Sequence, residues 1–329
     1  MTIAIIGAGV AGLSAAASLK AAGREVVLFD KGRGAGGRLS TRRAASPIGE
    51  VRFDHGAQFF TARDEGFRRL VNDLEQRGRV AKWTPRRVSL SKTDGAWSAE
   101  ALQSDDDWYV GAPSMNSFVK AMAEGHEVRW GERATALSIR EDGRYVQFDP
   151  SGWQGPFDAV ILAIPAEQAK DLLAETSAKL ASEAAASVTA PCWAAMLAFN
   201  KPLATGWDVA EVAGSPLGLA VRNSSKPGRG NEETFVLHAT PEWTRANVDM
   251  AREDVAAELS RLFCEMTGAH APLLAAAHRW LYAKTETPSA SSFGWDEGQR
   301  IGVIGDWRIA PRIEAAWQSG HALASALLD

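Results

Sequence analysis

Cysteine is nearly missing from this 329-residue sequence, which holds only Cys192 and Cys264. The two lie far apart without metal-type spacing, so neither a disulfide framework nor a zinc site is expected, and both read as buried thiols. Long apolar runs are missing as well. No stretch approaches the roughly 20 residues of a membrane-spanning helix, and the first residues lack a basic segment followed by a cleavable apolar one. A cytoplasmic protein without a membrane partner is therefore expected. Internal repeats and low-complexity tracts are also absent, which leaves an ordinary globular chain.

The composition agrees, at 46% hydrophobic and 23% charged, and the length suits one large unit with a second lobe. The net charge of −4 conceals an asymmetry: Lys31 to Arg87 holds 14 Lys+Arg against 6 Asp+Glu, and the rest of the chain 22 against 34. A local excess of this size suits an anionic small molecule better than a nucleic acid. For the arginines after Arg63, a solvated basic face is an equal reading.

Residues 2–6 form a short apolar run ending at Gly7, 11–22 have helical Ala/Leu spacing closed by Gly23, and 25–29 lead to Asp30. This is a strand–helix–strand unit with glycines at its first turn. Gly7, Gly9 and Gly12 permit a tight turn, close approach of backbone to a pyrophosphate, and close helix–strand packing; the amino end of the helix then faces the phosphates. Asp30 stands where a carboxylate holds ribose hydroxyls. Further helices are expected over 64–78, 114–124 (capped by Ser114), 249–267 (from near Asp249) and 313–328, with a pair over 166–187. Residues 80–111 alternate like one antiparallel sheet with turns at Thr93-Asp94-Gly95 and Asp105-Asp106-Asp107, and strands follow near 127–130, 134–140 and 144–148. The apolar runs 158–165 and 300–306 read as buried parallel strands. Both chain ends should thus enter one sheet. The division this implies is a discontinuous nucleotide-binding domain of 1–66, 112–170 and 294–329, and a substrate domain of 67–111 and 171–293.

A simple NAD domain does not need a second cluster, yet Lys31-Gly-Arg-Gly-Ala-Gly-Gly-Arg38 follows at once. Its glycines let the chain run close to an extended ligand, and Arg38 can pair with a diphosphate. With Ser40 and Thr41, it resembles the amino-terminal signature of the flavoprotein amine oxidase and protoporphyrinogen oxidase superfamily. Asp54-His55-Gly56-Ala57-Gln58-Phe59-Phe60 resembles that superfamily's next element, beside the flavin ring, and Gly305-Asp306 with the following helix resembles its terminal one. The resemblance implies an α/β fold: a Rossmann-like FAD-binding domain of the p-hydroxybenzoate hydroxylase type, and a second α+β substrate lobe on an antiparallel sheet. It places non-covalent FAD against Gly7, Gly9, Ala11, Gly12, Asp30 and Lys31, then Gly36, Gly37, Arg38, Asp54 and His55. Asp306 would serve the ribityl chain and diphosphate, and the helix from Ile313 would aim its positive end at the flavin.

A finer resemblance, to the renalase family, runs through His55–Arg63, Trp108–Met115, Arg222–Arg229, Leu237–Trp243, His278–Tyr282 and Gly305–Trp307. It implies oxidation of 2- and 6-dihydro isomers of NADH and NADPH to NAD(P)+ by hydride transfer to flavin N5, with dioxygen taking the electrons to give hydrogen peroxide. The lysine that amine oxidases tend to carry near N5 aligns with Ala190-Pro191-Cys192, and no cysteine follows Cys264 to tether the flavin. The substrate slot is expected from Gly56, Ala57, Gln58, Phe59 and Phe60, with Trp280 and Tyr282 as walls and Arg312 in contact. Arg222, Lys226 or Arg229 would meet the substrate's phosphates. No catalytic base is assigned, including His55 and His238, because a hydride donor needs none. An amine oxidase, a desaturase of a hydrophobic substrate and a flavin-binding redox sensor remain as alternatives. Isomer preference, NAD against NADP, and oligomeric state are left open.

Overall fold

The computed structural model describes residues 2–93, 95–289 and 291–328. Asp94, the middle of the expected Thr93–Gly95 turn, lies outside the described residues. Helices are α1 (Val10–Ala21), α2 (Glu65–Gln76), α3 (Asn116–Ala123), α4 (Ala166–Leu173), α5 (Ala178–Ala185), α6 (Pro241–Ala246), α7 (Arg252–Thr267) and α8 (Ile313–Ala326). None is long and apolar enough to cross a membrane.

A six-stranded sheet runs in the order Gly294–Asp296, Ile301–Val303, Ala159–Leu162, Thr2–Ile6, Glu25–Asp30, Val128–Trp130. Only the first pair is antiparallel. Both ends of the chain reach this sheet, since 2–6 and 301–303 flank 159–162. Ile3, Ile5, Ile161 and Val303 are fully buried, as parallel strands covered on both faces require. On one face, α8 crosses α1 at close range. A Cβ on Gly320 would lie 2.1 Å from the carbonyl oxygen of Ala11, and the Ser14 hydroxyl donates to the Trp317 carbonyl at 2.8 Å.

The second sheet has seven strands, ordered Leu274–Thr287, Val188–Phe199, Glu233–Ala239, Leu217–Arg222, Val209–Ala213, Arg87–Thr93, Ala96–Ala101. Strand alternation divides its two faces. Trp193, Ala195, Leu197, Phe235 and Leu237 pack under α7 through Val255, Leu259 and Phe263. Met196, Ala198 and Val236 face the other way and meet Val51 and Phe53 of the 41–54 hairpin.

Three expectations need correction. Residues 80–111 do not form one antiparallel sheet. Val80–Trp83 pairs with Trp108–Gly111 as a separate ribbon, while 87–93 and 96–101 join the seven-stranded sheet, with 87–93 parallel to 209–213. The apolar side chains explain the split: Val80, Trp83, Trp108 and Val110 bury with Phe67 and Phe118, whereas Leu90 buries with the α7 cluster. Ser114 does not cap α3. Met115 holds the cap position, its amide donates to Asp54 Oδ1 at 3.0 Å, and the Ser114 hydroxyl donates to Asn116 Oδ1 at 2.7 Å. Finally, α7 starts at Arg252 rather than near Asp249, whose carboxylate accepts from Arg279 at 3.2 Å.

The α1–α8 contact yields a test. Gly320→Ala should destabilise the protein by about 1–3 kcal/mol, because the new methyl meets backbone rather than a movable side chain. Gly34→Ala, with nothing within 4 Å, should change the unfolding midpoint little. Equal midpoints for the two variants in thermal unfolding would refute this packing.

Candidate functional site

The three glycines of the first turn do three different jobs. A Cβ on Gly7, whose φ is +109°, would lie 2.4 Å from the Ala163 carbonyl, and one on Gly12 would lie 2.0 Å from the Gly7 carbonyl. Those two are packing glycines. Gly9 has nothing of the chain within 4 Å of its missing side chain, so it opens a cradle at the amino end of α1. Ala11, expected beside the cofactor, is buried against α8 instead, with its carbonyl beneath Gly320. Asp30 ties the next strand to this turn, accepting from the amides of Ala8 at 2.8 Å and Gly32 at 2.7 Å, with lone pairs to spare on each oxygen. Lys31 reaches Gln168 Oε1 at 3.4 Å, and burial with Arg133 nearby pulls its pKa down.

Gly36 and Gly37 start the short turn Gly37–Leu39 that brings Arg38 across to Asp306. The guanidinium forks onto that carboxylate at 2.9 and 2.5 Å, and the Asp306 charge raises the Arg38 pKa. Its Nη1 also reaches the Ala283 carbonyl at 3.5 Å, which links the glycine cluster to the second sheet. Glu167, whose charge adds to the raised Arg38 pKa, has a buried Oε2 with no hydrogen-bond partner among the described residues. An open cradle at Gly9, a fixed arginine and an orphaned acceptor fit the diphosphate and hydroxyls of a dinucleotide. Helix α8 starts at half-buried Ile313, and no side chain caps it.

Segment 54–60 closes the cleft from the other side. A Cβ on Gly56 would lie 1.9 Å from the Arg38 carbonyl, and the Ala57 amide donates to that carbonyl at 2.9 Å, so this segment lies directly on the arginine turn. His55 is buried. Its carbonyl accepts from Trp280 Nε1 at 2.9 Å, and its ring lies 4.8 Å from that of His278 and 5.1 Å from that of Trp280. Burial, then the charge on His278, lowers the His55 pKa to about 4, and burial followed by Lys226 does the same to His238. Both imidazoles are neutral at pH 7. His278 and Trp280 share a face of the 274–287 strand, and half-buried Tyr282 follows where the register breaks, between Trp280 and Lys284.

Other expected residues sit elsewhere. The Asp54 carboxylate, expected beside the cofactor, is spent inside the protein on Thr41, the Met115 amide, Lys226 and Arg229; against the upward push of burial, Lys226, Arg229 and the Met115 amide hold its pKa far below the usual range. Phe60 is a core residue, 5.0 Å from Phe118 and 6.1 Å from Phe67 between ring centroids. Phe59 stacks on Trp108 at 3.5 Å, with the Arg87 guanidinium 4.3 Å from the Trp108 centroid. Arg222 is not free to meet phosphate: it pairs with Glu233 at 2.9 Å and bonds the Leu203 carbonyl. Lys226 and Arg229 likewise turn inward, drawn by Asp54. Arg312 is more than a third exposed and lies 3.6 Å from Glu314. Sequence patterns missed Glu167 and His278. The position of Glu167, at the start of the helix after a buried parallel strand, was the available signal for it.

Residues 5–74 match the family described as "NAD(P)-binding Rossmann-like domain", and residues 97–300 match "Flavin containing amine oxidoreductase". Among solved structures, a protein from Exiguobacterium sp. 255-15 provisionally assigned as a protoporphyrinogen oxidase aligns with a TM-score of 0.81 at 12% identity, covering 99% of this chain and 98% of that one. Cyclohexylamine oxidase from Brevibacterium oxydans IH-35A aligns at 0.77 and 12%, covering 99% and 98%. Putrescine oxidase bound to putrescine aligns at 0.75 and 14%, covering 100% and 99%. At such identities these likenesses show a shared fold, including the nucleotide-binding sheet and the second lobe.

The geometry makes two predictions. Gly9→Leu should fold like the parent, since the side chain has room, yet bind flavin at least ~10-fold more weakly by fluorescence titration; parent-like affinity would remove the cradle from the site. The second concerns acid. His55 and His238 stay neutral in the fold, whereas in the unfolded chain they protonate below the ordinary value of 6.5. Stability is therefore full above pH 6.5 and falls towards pH 4, by roughly 3 kcal/mol for each imidazole. Asp54, with its lowered pKa, adds its own loss only at lower pH. His238→Gln should flatten the pH 7 to 4.5 slope of the unfolding midpoint; an unchanged slope would exclude His238 as a cause.

Proposed function

Since the chain belongs to the flavin containing amine oxidoreductase family, we propose that it is a non-covalent FAD-dependent oxidase of dihydronicotinamide dinucleotides, the 2- and 6-dihydro isomers of NAD(P)H. The bound flavin supplies a hydride acceptor whose reoxidation by dioxygen gives hydrogen peroxide. Gly7, Gly9 and Gly12 shape the turn that takes its diphosphate, with Arg38 beside it. Asp30 takes the ribose hydroxyls, and Asp306 and the amino end of α8 take the far half.

The observation that carries the substrate choice is the charge around the histidine–tryptophan face. Arg42 and Arg252 act on His278, and Arg42 also acts on His55. Among the described residues, neither arginine has a carboxylate partner. An ammonium substrate would meet this field unfavourably, whereas the diphosphate of a dinucleotide would complement it. The neutral histidines fit the same reading. A dihydropyridine already holds a transferable hydride, so the protein needs to orient the ring and exclude water rather than remove a proton. Trp280 and Tyr282 offer walls for such a ring, with Gln58 at its edge. The same aromatic walls also suit a neutral amine, and this keeps amine oxidation as the competing reading. Cys192, whose thiol burial pushes up to about 12, stays protonated and offers no thiolate for a covalent link.

Mixing the flavin-loaded protein anaerobically with 2- or 6-dihydroNAD(P) should bleach the flavin within one turnover, and admitting air should release hydrogen peroxide. Rapid bleaching by an amine, with none by either isomer, would sink the proposal. Reversing both charges, R42E with R252E, should raise KM for the dinucleotide by about 10- to 100-fold and leave kcat nearly unchanged.

A further inference from the structure

Behind residues 54–58 lies a charge that the proposed reaction does not use. The Lys226 side chain has no exposed surface, and its ammonium group donates to Gln58 Oε1 at 2.9 Å and to Asp54 Oδ2 at 3.4 Å. Arg229 claims the same carboxylate oxygen more closely, with Nη2 at 2.5 Å and Nε at 3.1 Å. One carboxylate thus faces two buried cations. Thr41, the Met115 amide and Arg229 satisfy Asp54 without Lys226, so the lysine is the surplus charge. Burying such a group is costly, and desolvation pulls its pKa down to about 8. Stability gives no reason to keep it.

The lysine does fix one side chain. With its oxygen taken by Lys226, Gln58 points its amide nitrogen at the carbonyls of Asp54 and Gly56, at 2.6 and 2.9 Å, with His238 Nε2 at 3.4 Å. Gly56 and Ala57 lie directly on the Arg38 turn. The ammonium therefore stands one side chain behind the segment that closes the cofactor cleft. In a buried setting, its field reaches across several ångströms with little screening by salt. We infer that Lys226 is a positioning residue: it orients Gln58, and its surplus positive charge stabilises the flavin when that cofactor carries negative charge. The inference rests on flavin binding, not on the choice of substrate.

The test uses the full-length, flavin-loaded protein and three variants, K226M, K226Q and K226R. Sulfite is the probe, because its addition leaves bound flavin negatively charged, and the midpoint potential is measured alongside. K226M and K226Q should bind sulfite about 10-fold more weakly, equivalent to about 1.4 kcal/mol, and shift the potential negative; K226R should keep both near the parent values. Removing the lysine leaves the Asp54–Arg229 pair intact, so K226M should fold, and K226Q provides a polar second variant should it not. Parent-like sulfite affinity and potential in K226Q would overturn the inference, as would a K226R shift as large as that of K226M. Neither readout needs a substrate, so failure of the dihydronicotinamide proposal would leave this result standing.

Discussion

The structure turns on the buried carboxylate of Asp54. It holds Thr41 from the opposite strand of the 41–54 hairpin, the amide that starts α3, and two cations from the 222–229 loop. Three separate stretches of chain are thereby fixed around one side chain. A buried ion pair is weak evidence for stability, because desolvation cancels much of the Coulomb gain. Its value here is registry. With Asp54 in place, residues 55–58 can only lie between the Arg38 turn and the face that carries Trp280. Removing the carboxylate would strand two buried cations, a larger loss than the pair's own worth.

The two sheets meet through a second ionic contact of the opposite design. Arg38 reaches from the glycine cluster to Asp306 at the end of the six-stranded sheet, and to the Ala283 carbonyl on the seven-stranded one. This pair is only partly buried, with the Arg38 side chain about a third exposed. It is open to solvent, whereas the Asp54 cluster is sealed from it. The chain thus places a sealed ion cluster where backbone must be rigid and an accessible one where a cofactor must enter.

How much of this was legible in the sequence depends on the range of each signal. The glycine turn, Asp30 and the two buried parallel strands are local patterns, and they were legible because turn geometry and apolar periodicity act over a few residues. The fate of 80–111 was not. Its alternation announces strands, but whether Leu90 or Trp83 faces one core or the other depends on residues more than a hundred positions away. The basic stretch from Arg222 to Arg229 misled for the same reason. Its cations were expected at the substrate's phosphates, and only the fold shows that Asp54, Asp208 and Glu233 turn them inward. Phe59 and Phe60, adjacent in sequence, went to a stack on Trp108 and to the core, as alternation in an extended segment dictates.

A site built from neutral imidazoles inside a positive field selects its chemistry by what it lacks. Proton abstraction needs a base whose pKa lies near the working pH, and burial has pushed both His55 and His238 to about 4. Lys226, at about 8, is sealed behind Gln58 and cannot reach a substrate proton. On the proposed reading, what remains to the site is to hold a flat, electron-rich ring against the aromatic face of His278 and Trp280 and to complement anionic groups attached to that ring. This is why the proposed substrate is one that surrenders hydride without first losing a proton. The excess of positive charge between Lys31 and Arg87 is divided: Arg38 pairs with Asp306, exposed Arg42 acts on His278 at a distance, and Arg63, Arg69 and Arg77 pair with surface carboxylates.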